Sequence, residues 1–203
     1  MTIRIDPFYP VVDSADWVKR LVAAGARFIQ LRIKDQDEDA LRHEIRDALS
    51  ACAAHTATLI VNDYWRIAID ECAPYVHLGQ EDLDSADIKA IRSHGIAVGI
   101  STHDHAELER GLSVDPDYVA LGPIYPTTLK AMRFAPQGLD KIGEWKKRIG
   151  AVPLVAIGGI TLERAPLCLA AGADSAAVVS DITQNPDPEI RAKAWIEATR
   201  STA

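Results

Sequence analysis

Five side chains have the types and spacing to act on one anionic substrate: the cations Arg32, Lys34 and Lys130 and the carboxylates Asp63 and Asp82. Arg32 and Lys34 lie in the run Gln30-Leu31-Arg32-Ile33-Lys34. If this run is extended, alternate side chains point to opposite faces. Phe28, Gln30, Arg32 and Lys34 then share one face, and Ile29, Leu31 and Ile33 share the other. The apolar face asks for a packed layer. In a parallel sheet covered by helices, the polar face looks to the other side, and in a closed barrel that side is the interior. Cations held there are costly until an anion pairs with them. Carboxylates beside them could be simple ion-pair partners. They could also share a magnesium ion, which takes one or two protein carboxylates and fills its shell with water and phosphate oxygens. A cluster of both signs suits a magnesium-pyrophosphate group.

A second anion site is readable elsewhere in the chain. Gly158-Gly159 permits a close backbone approach, and Val179-Ser180 follows a short apolar run. Such positions, after the last two strands of a barrel, form the usual phosphate site of phosphate-handling barrels. Gly158-Gly159 reads equally as a tight turn into Thr161, and Asn62-Asp63 as a turn or helix cap. Their convergence carries the functional reading. These positions fall at or just after the ends of predicted strands, on what would be one rim.

The elements that must place them alternate in type. Short apolar strands are predicted at Phe8–Val12, Phe28–Lys34, Thr58–Val61, Tyr75–Leu78, Ala97–Ile100, Tyr118–Leu121, Leu154–Ile157 and Ser175–Val179. Amphipathic helical stretches follow them at Asp16–Ala24, Asp37–Ala54, around Trp65 to Ile69, and at Ser85–His94, Ala106–Leu112, Leu139–Arg148, Glu163–Ala171 and Glu189–Thr199. Ser85 is the expected cap of its helix. Eight βα units in 203 residues fit an α/β chain forming one (β/α)8 TIM barrel, a single domain over residues 1–203. An open doubly wound sheet fits less well, because no Gly-rich turn follows the first strand. The long loop Gly122–Gln137 contains Met132-Arg133-Phe134, a candidate lid.

Composition sets the outer bounds. With 48% hydrophobic and 25% charged residues the chain is an ordinary globular one. A net charge of −7 argues against nucleic-acid binding, so any anion site must be a local cluster of cations. No apolar run is long enough to span a membrane, and residues 1–10 carry no signal pattern. Cys52, Cys72 and Cys168 have no metal-ligand spacing and read as reduced, mostly buried residues of a cytoplasmic protein. The composition leaves a homo-oligomer open. His77 reads as a hydrogen-bonded structural histidine, His103 and His105 as the start of a helix, and Trp17, Trp65, Trp145 and Trp195 as packing residues. No Ser-His-Asp or Cys-His arrangement offers a nucleophile.

Seven motifs in order then resemble the thiamine-phosphate synthase family over about Phe8 to Ile182. They are Gln30–Lys34, Val61–Asp63, His77–Leu83, Gly99–His103, Gly122–Thr127 with Lys130, Val155–Ile160 and Val178–Ser180. The resemblance implies a barrel that joins hydroxymethylpyrimidine diphosphate to a thiazole phosphate, or its carboxylated tautomer, giving thiamine phosphate and pyrophosphate. It implies that Gln30, Leu31, Arg32, Ile33 and Lys34, with Asn62, Ser101 and Lys130, line the diphosphate site. Arg32, Lys34, Ser101 and Lys130 would be catalytic. Asp63 and Asp82 would bind Mg2+. Thr127, Thr128, Leu129, Gly158, Gly159, Val179 and Ser180 would hold the thiazole phosphate. A TenI-like thiazole aromatase would carry a histidine at Ser101 and would not need the pyrophosphate cations. A non-catalytic phosphate-binding barrel and a phosphosugar isomerase are the other readings; the latter lacks a well-placed base.

One position departs from the family pattern Pro-Thr-x-Thr-Lys, where this chain has Leu129 in place of the second hydroxyl. The substitution Leu129→Thr is expected to lower the KM for thiazole phosphate by about 3- to 10-fold, the worth of one neutral hydrogen bond. Steady-state kinetics with the thiazole phosphate varied would measure this, and an unchanged KM would mean that the position is indifferent.

Overall fold

The computed structural model describes residues 5–127 and 134–200. Eight parallel strands close into a barrel in sequence order, β1 pairing with β8. They are β1 Phe8–Val12, β2 Phe28–Leu31, β3 Thr58–Asn62, β4 Tyr75–Leu78, β5 Ala97–Thr102, β6 Tyr118–Leu121, β7 Leu154–Ile157 and β8 Ser175–Val178. The helices around them are α1 Ala15–Ala23, α2 Glu38–Ala54, α3 Trp65–Asp70, α4 Ile88–Ser93, α5 His105–Leu112, α6 Leu139–Ile149, α7 Ala165–Ala170, α8 Ser180–Thr183 and α9 Pro188–Arg200. Among the described residues, no helix is long and apolar enough to cross a membrane.

Local chemistry explains most boundaries. Ser14, Asp37, Asp87 and Asp104 each accept a hydrogen bond from a first-turn N–H of α1, α2, α4 and α5. Three expected boundaries are corrected. The second strand ends at Leu31 rather than Lys34, because β1 ends at Val12 and the Arg32 N–H takes the last ladder carbonyl there, Val12 O at 2.7 Å. The helix expected from Ser85 begins at Ile88 under Asp87, after a 3-10 turn at Asp82–Asp84. The helix expected from Glu163 begins at Ala165, with Pro166 in its first turn and the N–H of Ala165 on Thr161 O at 2.9 Å. One short helix, α8, has no counterpart in the sequence expectation, because four residues carry too little pattern to read.

Closure sorts alternate strand residues into two layers. Ile29, Leu31, Ile33, Val61, Val76 and Leu78 pack outward under the helices. Tyr9, Phe28, Ile60, Tyr75, Ala97 and Tyr118 fill the interior. The aromatic rings meet edge to face, Tyr9 on Phe28 at 4.8 Å and Phe28 on Tyr75 at 5.4 Å between centroids. Trp145 and Trp195 are fully buried, as packing residues should be, while Trp17 and Trp65 are partly buried. Cys52 and Cys168 are buried and Cys72 is exposed, in line with the reading of the three as mostly buried.

The interior layer needs one gap. Gly99 pairs with His77 on one side and Tyr118 on the other, and the Tyr118 ring lies across it. A Cβ at Gly99 would fall 2.0 Å from Tyr118 Cζ. Gly99→Ala therefore forces the ring from its seat. It is expected to cost about 1–3 kcal/mol, the usual penalty of overpacking, as read from urea unfolding.

Candidate active site at the C-terminal rim of the barrel

The strand ends gather most of the predicted residues on one rim. Arg32 and Lys34 follow β2, Asn62 ends β3 with Asp63 next, and Asp82 follows β4. Ser101 lies within β5, and Thr127 lies in the loop after β6. Gly158 and Gly159 follow β7, and Val179 and Ser180 follow β8. Gln30, Asn62, His77 and Ser101 all take interior parity on their strands. Leu31 and Ile33 do not join them. They are 2% and 4% exposed in the outer apolar layer, so only their backbone could face the mouth. Thr128, Leu129 and Lys130, and Met132 and Arg133 of the candidate lid, lie outside the described residues.

The carboxylates form a close pair. Asp63 sits in the left-handed region at φ 65° and its N–H donates to His77 O at 2.8 Å, which turns its side chain out of the β3 direction. Asp82 Oδ2 accepts the Gly79 N–H at 3.0 Å. Burial first, and then the charge of Asp82 with a hydrogen bond between the two carboxyls, pushes the Asp63 pKa up to about 6. Arg32 opposes that shift. Among the described residues, no three His, Cys, Asp or Glu side chains converge on a metal. Two hard oxygen donors that repel each other, with the rest of the shell open, nevertheless fit magnesium carried with a phosphate substrate.

Beside this pair stand donors without partners. Most described arginines meet a carboxylate; Arg20, Arg42, Arg46, Arg92, Arg110, Arg148, Arg191 and Arg200 do. Arg27 and Arg164 bond carbonyls, and Arg66 lies over Trp65. Among the described residues, Arg32 is the only arginine with none of these. Its charge acts on Asp63 and on His77. Asn62 is 5% exposed, and its buried Nδ2 has no well-formed hydrogen bond, reaching only weakly toward the Asp63 carboxyl, whose pKa it lowers. An unpaired guanidinium and an orphaned buried amide on one rim are what an absent anionic ligand would satisfy.

Below the rim four hydrogen bonds join polar side chains in a line. Gln30 Nε2 donates to Tyr9 Oη at 2.8 Å, Tyr9 Oη meets Tyr118 Oη at 2.8 Å, Tyr118 Oη meets His77 Nδ1 at 2.7 Å, and His77 Nε2 meets Ser101 Oγ at 2.7 Å. Burial lowers the His77 pKa to about 4, helped by Arg32, so the ring is neutral at physiological pH. His77 is thus hydrogen bonded on both nitrogens. Gln80, in the loop after β4, donates Nε2 to Ser101 O at 2.7 Å, while its buried Oε1 has no partner. Tyr9 and Tyr118 escaped the sequence reading, and Gln80 entered it only within the motif His77–Leu83. Strand parity could have placed the tyrosines in the barrel, but nothing in their spacing joins them to Ser101. His103 pairs with Glu107 at 2.6 Å and stacks on Phe134, while His105, the first residue of α5, bonds Glu144 at 2.5 Å.

Across the mouth, Gly158 and Gly159 have φ 99° and 63°. A Cβ would fall 2.7 Å from Pro123 Cα at Gly158 and 2.4 Å from Pro126 O at Gly159. The close approach made by both glycines is therefore to the loop after β6. Tyr125 N–H donates to Gly158 O at 3.0 Å, and Arg164 clamps Gly159 O at 2.6 Å while lying over the Tyr125 ring. Ser180 opens α8, and Val179 points inward beside Ile157.

Comparison with known proteins adds an independent line. A family model described as thiamine monophosphate synthase matches residues 8–182. A thiamine-phosphate synthase of Rhizobium etli is 61% identical over 197 residues, covering 97% of each chain. That of Neisseria meningitidis serogroup A is 50% identical, covering 93% of this chain and 92% of its own. A solved thiamine phosphate pyrophosphorylase of Pyrococcus furiosus shares the fold, with a TM-score of 0.87, 22% identity and coverage of 99% and 98%.

The carboxylate pair predicts a pH signature in metal-free protein. Asp63 binds its proton more tightly when folded, so the fold gains stability as pH falls through about 6 and loses it as pH rises through that value. Asp82→Asn removes the repulsion. The variant in chelator is expected to exceed the parent in stability by about 1 kcal/mol at pH 7, with the gap closing at acid pH. Urea unfolding at several pH values would measure it.

Proposed function

Because the chain belongs to the thiamine-phosphate synthase family, and is a transferase of that family, we propose that its barrel mouth works by a dissociative transfer. The bond between the pyrimidine's exocyclic methylene and the diphosphate oxygen breaks, and the electron pair leaves with pyrophosphate. The electron-rich aminopyrimidine supports the cation left behind. The thiazole nitrogen then donates its lone pair to that carbon, forming the new C–N bond. No proton need move, so the chemistry asks neither a nucleophile nor an acid–base pair of the rim.

The observation that carries this reading is the unpartnered Arg32 beside the orphaned Asn62 amide. In the proposed complex Arg32, with Lys34 and Lys130, draws the diphosphate into place and opposes the charge that grows on it as the bond breaks. Asn62 and Ser101 donate to its oxygens, and Gln30 contacts the pyrimidine end. Asp63 and Asp82 would hold magnesium, which when bound supplies further neutralising charge to the leaving group. Thr127, Gly159, Val179 and Ser180 would seat the thiazole phosphate on the opposite side, with Arg164 and Tyr125 fixing the shape of that wall. A cytoplasmic setting belongs to the same proposal and is supported by three cysteines without disulfides.

The test is turnover of the two substrates with magnesium, with thiamine phosphate followed by oxidation to its fluorescent thiochrome form. Arg32→Ala is expected to lower the rate by about 10²–10³, as loss of one donor to developing charge does elsewhere. Asp63→Ala should remove the dependence on magnesium together with most activity. Thiazole phosphate binding without any turnover by the parent protein would instead favour an aromatase or a sensor.

A further inference from the structure

Five side chains of the barrel interior are hydrogen bonded in a line from Gln30 to Ser101, through Tyr9, Tyr118 and His77, with links of 2.7–2.8 Å, and Gln30 also acts on the Tyr118 hydroxyl. Every link but the last is buried. Each hydroxyl in the path has one proton to give and can accept two. The imidazole is neutral and carries a single N–H, so the His77–Ser101 end of the path has two arrangements. In one, the Gln30 amide donates to Tyr9, Tyr9 to Tyr118, Tyr118 to His77 Nδ1, and His77 Nε2–H to Ser101 Oγ. The Ser101 proton is then free to point out of the barrel. In the other, Ser101 spends its proton inward on His77 Nε2, and His77 Nδ1–H donates to Tyr118.

We propose that Tyr118 and His77 are positioning residues that hold the first arrangement, so that Ser101 meets the substrate diphosphate as a hydrogen-bond donor. The inference rests on the reading that Ser101 contacts the diphosphate. The charge of the site selects this polarity. Gln30 Nε2 donates to Tyr9 Oη, which leaves the Tyr9 proton for Tyr118 and agrees with it. An anion drawn to this rim by Arg32 needs donors, and in the reversed arrangement Ser101 would face it with lone pairs alone. The geometry is built for the path. Gly99 leaves the space through which Tyr118 reaches over from β6 to His77 on β4, where a Cβ would fall 2.0 Å from the ring. Gln80 Nε2 donates to the backbone carbonyl of Ser101 at 2.7 Å, which pins the main chain that carries the hydroxyl.

A double-mutant cycle tests the coupling, with both substrates saturating and folding checked by circular dichroism. Tyr118→Phe is expected to lower kcat about 10-fold in the parent. In a Ser101→Ala background it should change kcat by less than about 2-fold, because its only route to the substrate is gone. An equal loss in both backgrounds, or no loss in the parent, overturns the proposal while leaving the role of Ser101 intact. A Ser101→Ala variant with undiminished kcat would instead overturn that role and the proposal with it. If Tyr118→Phe does not fold, Tyr9→Phe enters the same cycle. The polarity is read separately in the unaltered protein, from the 15N resonances of His77 assigned by loss in His77→Gln. A proton on Nε2 with Nδ1 accepting is expected near pH 7, and a proton on Nδ1 would overturn the assignment.

Discussion

Closing eight strands into a barrel places every second residue of each strand in a space that bulk water does not enter, and everything inside must be packed or hydrogen bonded there. In this chain the constraint is met in two zones. Toward the strand N-termini the interior is aromatic, with Phe28 and Tyr75 meeting edge to face. Toward the C-termini it becomes polar, and the tyrosine hydroxyls, Gln30 and His77 satisfy one another in a line that ends at Ser101. The rest of the site stands on this floor. The strands fix Asn62, His77 and Ser101 on one side of the sheet, and the turns beyond them carry the charged groups.

The groups left unsatisfied mark where the protein meets its substrates. A buried amide without a well-formed hydrogen bond and a guanidinium without a carboxylate each cost stability, and burial, then the charge of Asp82, raises the pKa of Asp63 at the same rim. Elsewhere the molecule pairs such groups with care. Arg191 takes both oxygens of Asp181, which also accepts the Trp195 indole N–H at 2.6 Å. The contrast locates the function better than any single motif, because the unpaired donors and the repelling acceptors are complementary to a phosphate chain and its metal.

The fold was legible because parallel strands and amphipathic helices leave strong periodic marks. The alternation of Gln30, Arg32 and Lys34 with Leu31 and Ile33 gave the facing of β2, although the strand stops at Leu31 once β1 has no further carbonyl to offer. Short elements left no such mark, and α8 and the shortened start of α4 follow from local hydrogen bonds that compete on nearly equal footing. Of the site, the charged residues at strand ends were readable one by one. The meaning of Gly158 and Gly159 was only half readable. Their conformation is as glycine suggests, but the atoms that fill the space belong to the loop carrying Pro123 and Pro126.

What the sequence determined by itself was the barrel, the rim, the signs of the charges and, through ordered motifs, the family, because each rests on residue type and on spacing along one strand or turn. What the tertiary structure alone decided was which of these groups touch. The path from Gln30 to Ser101 joins residues up to 109 positions apart, and the Gln80 strut crosses 21. Hydrogen bonds of that kind depend on the stagger between strands and on the room left by Gly99, quantities that periodicity along one segment does not contain.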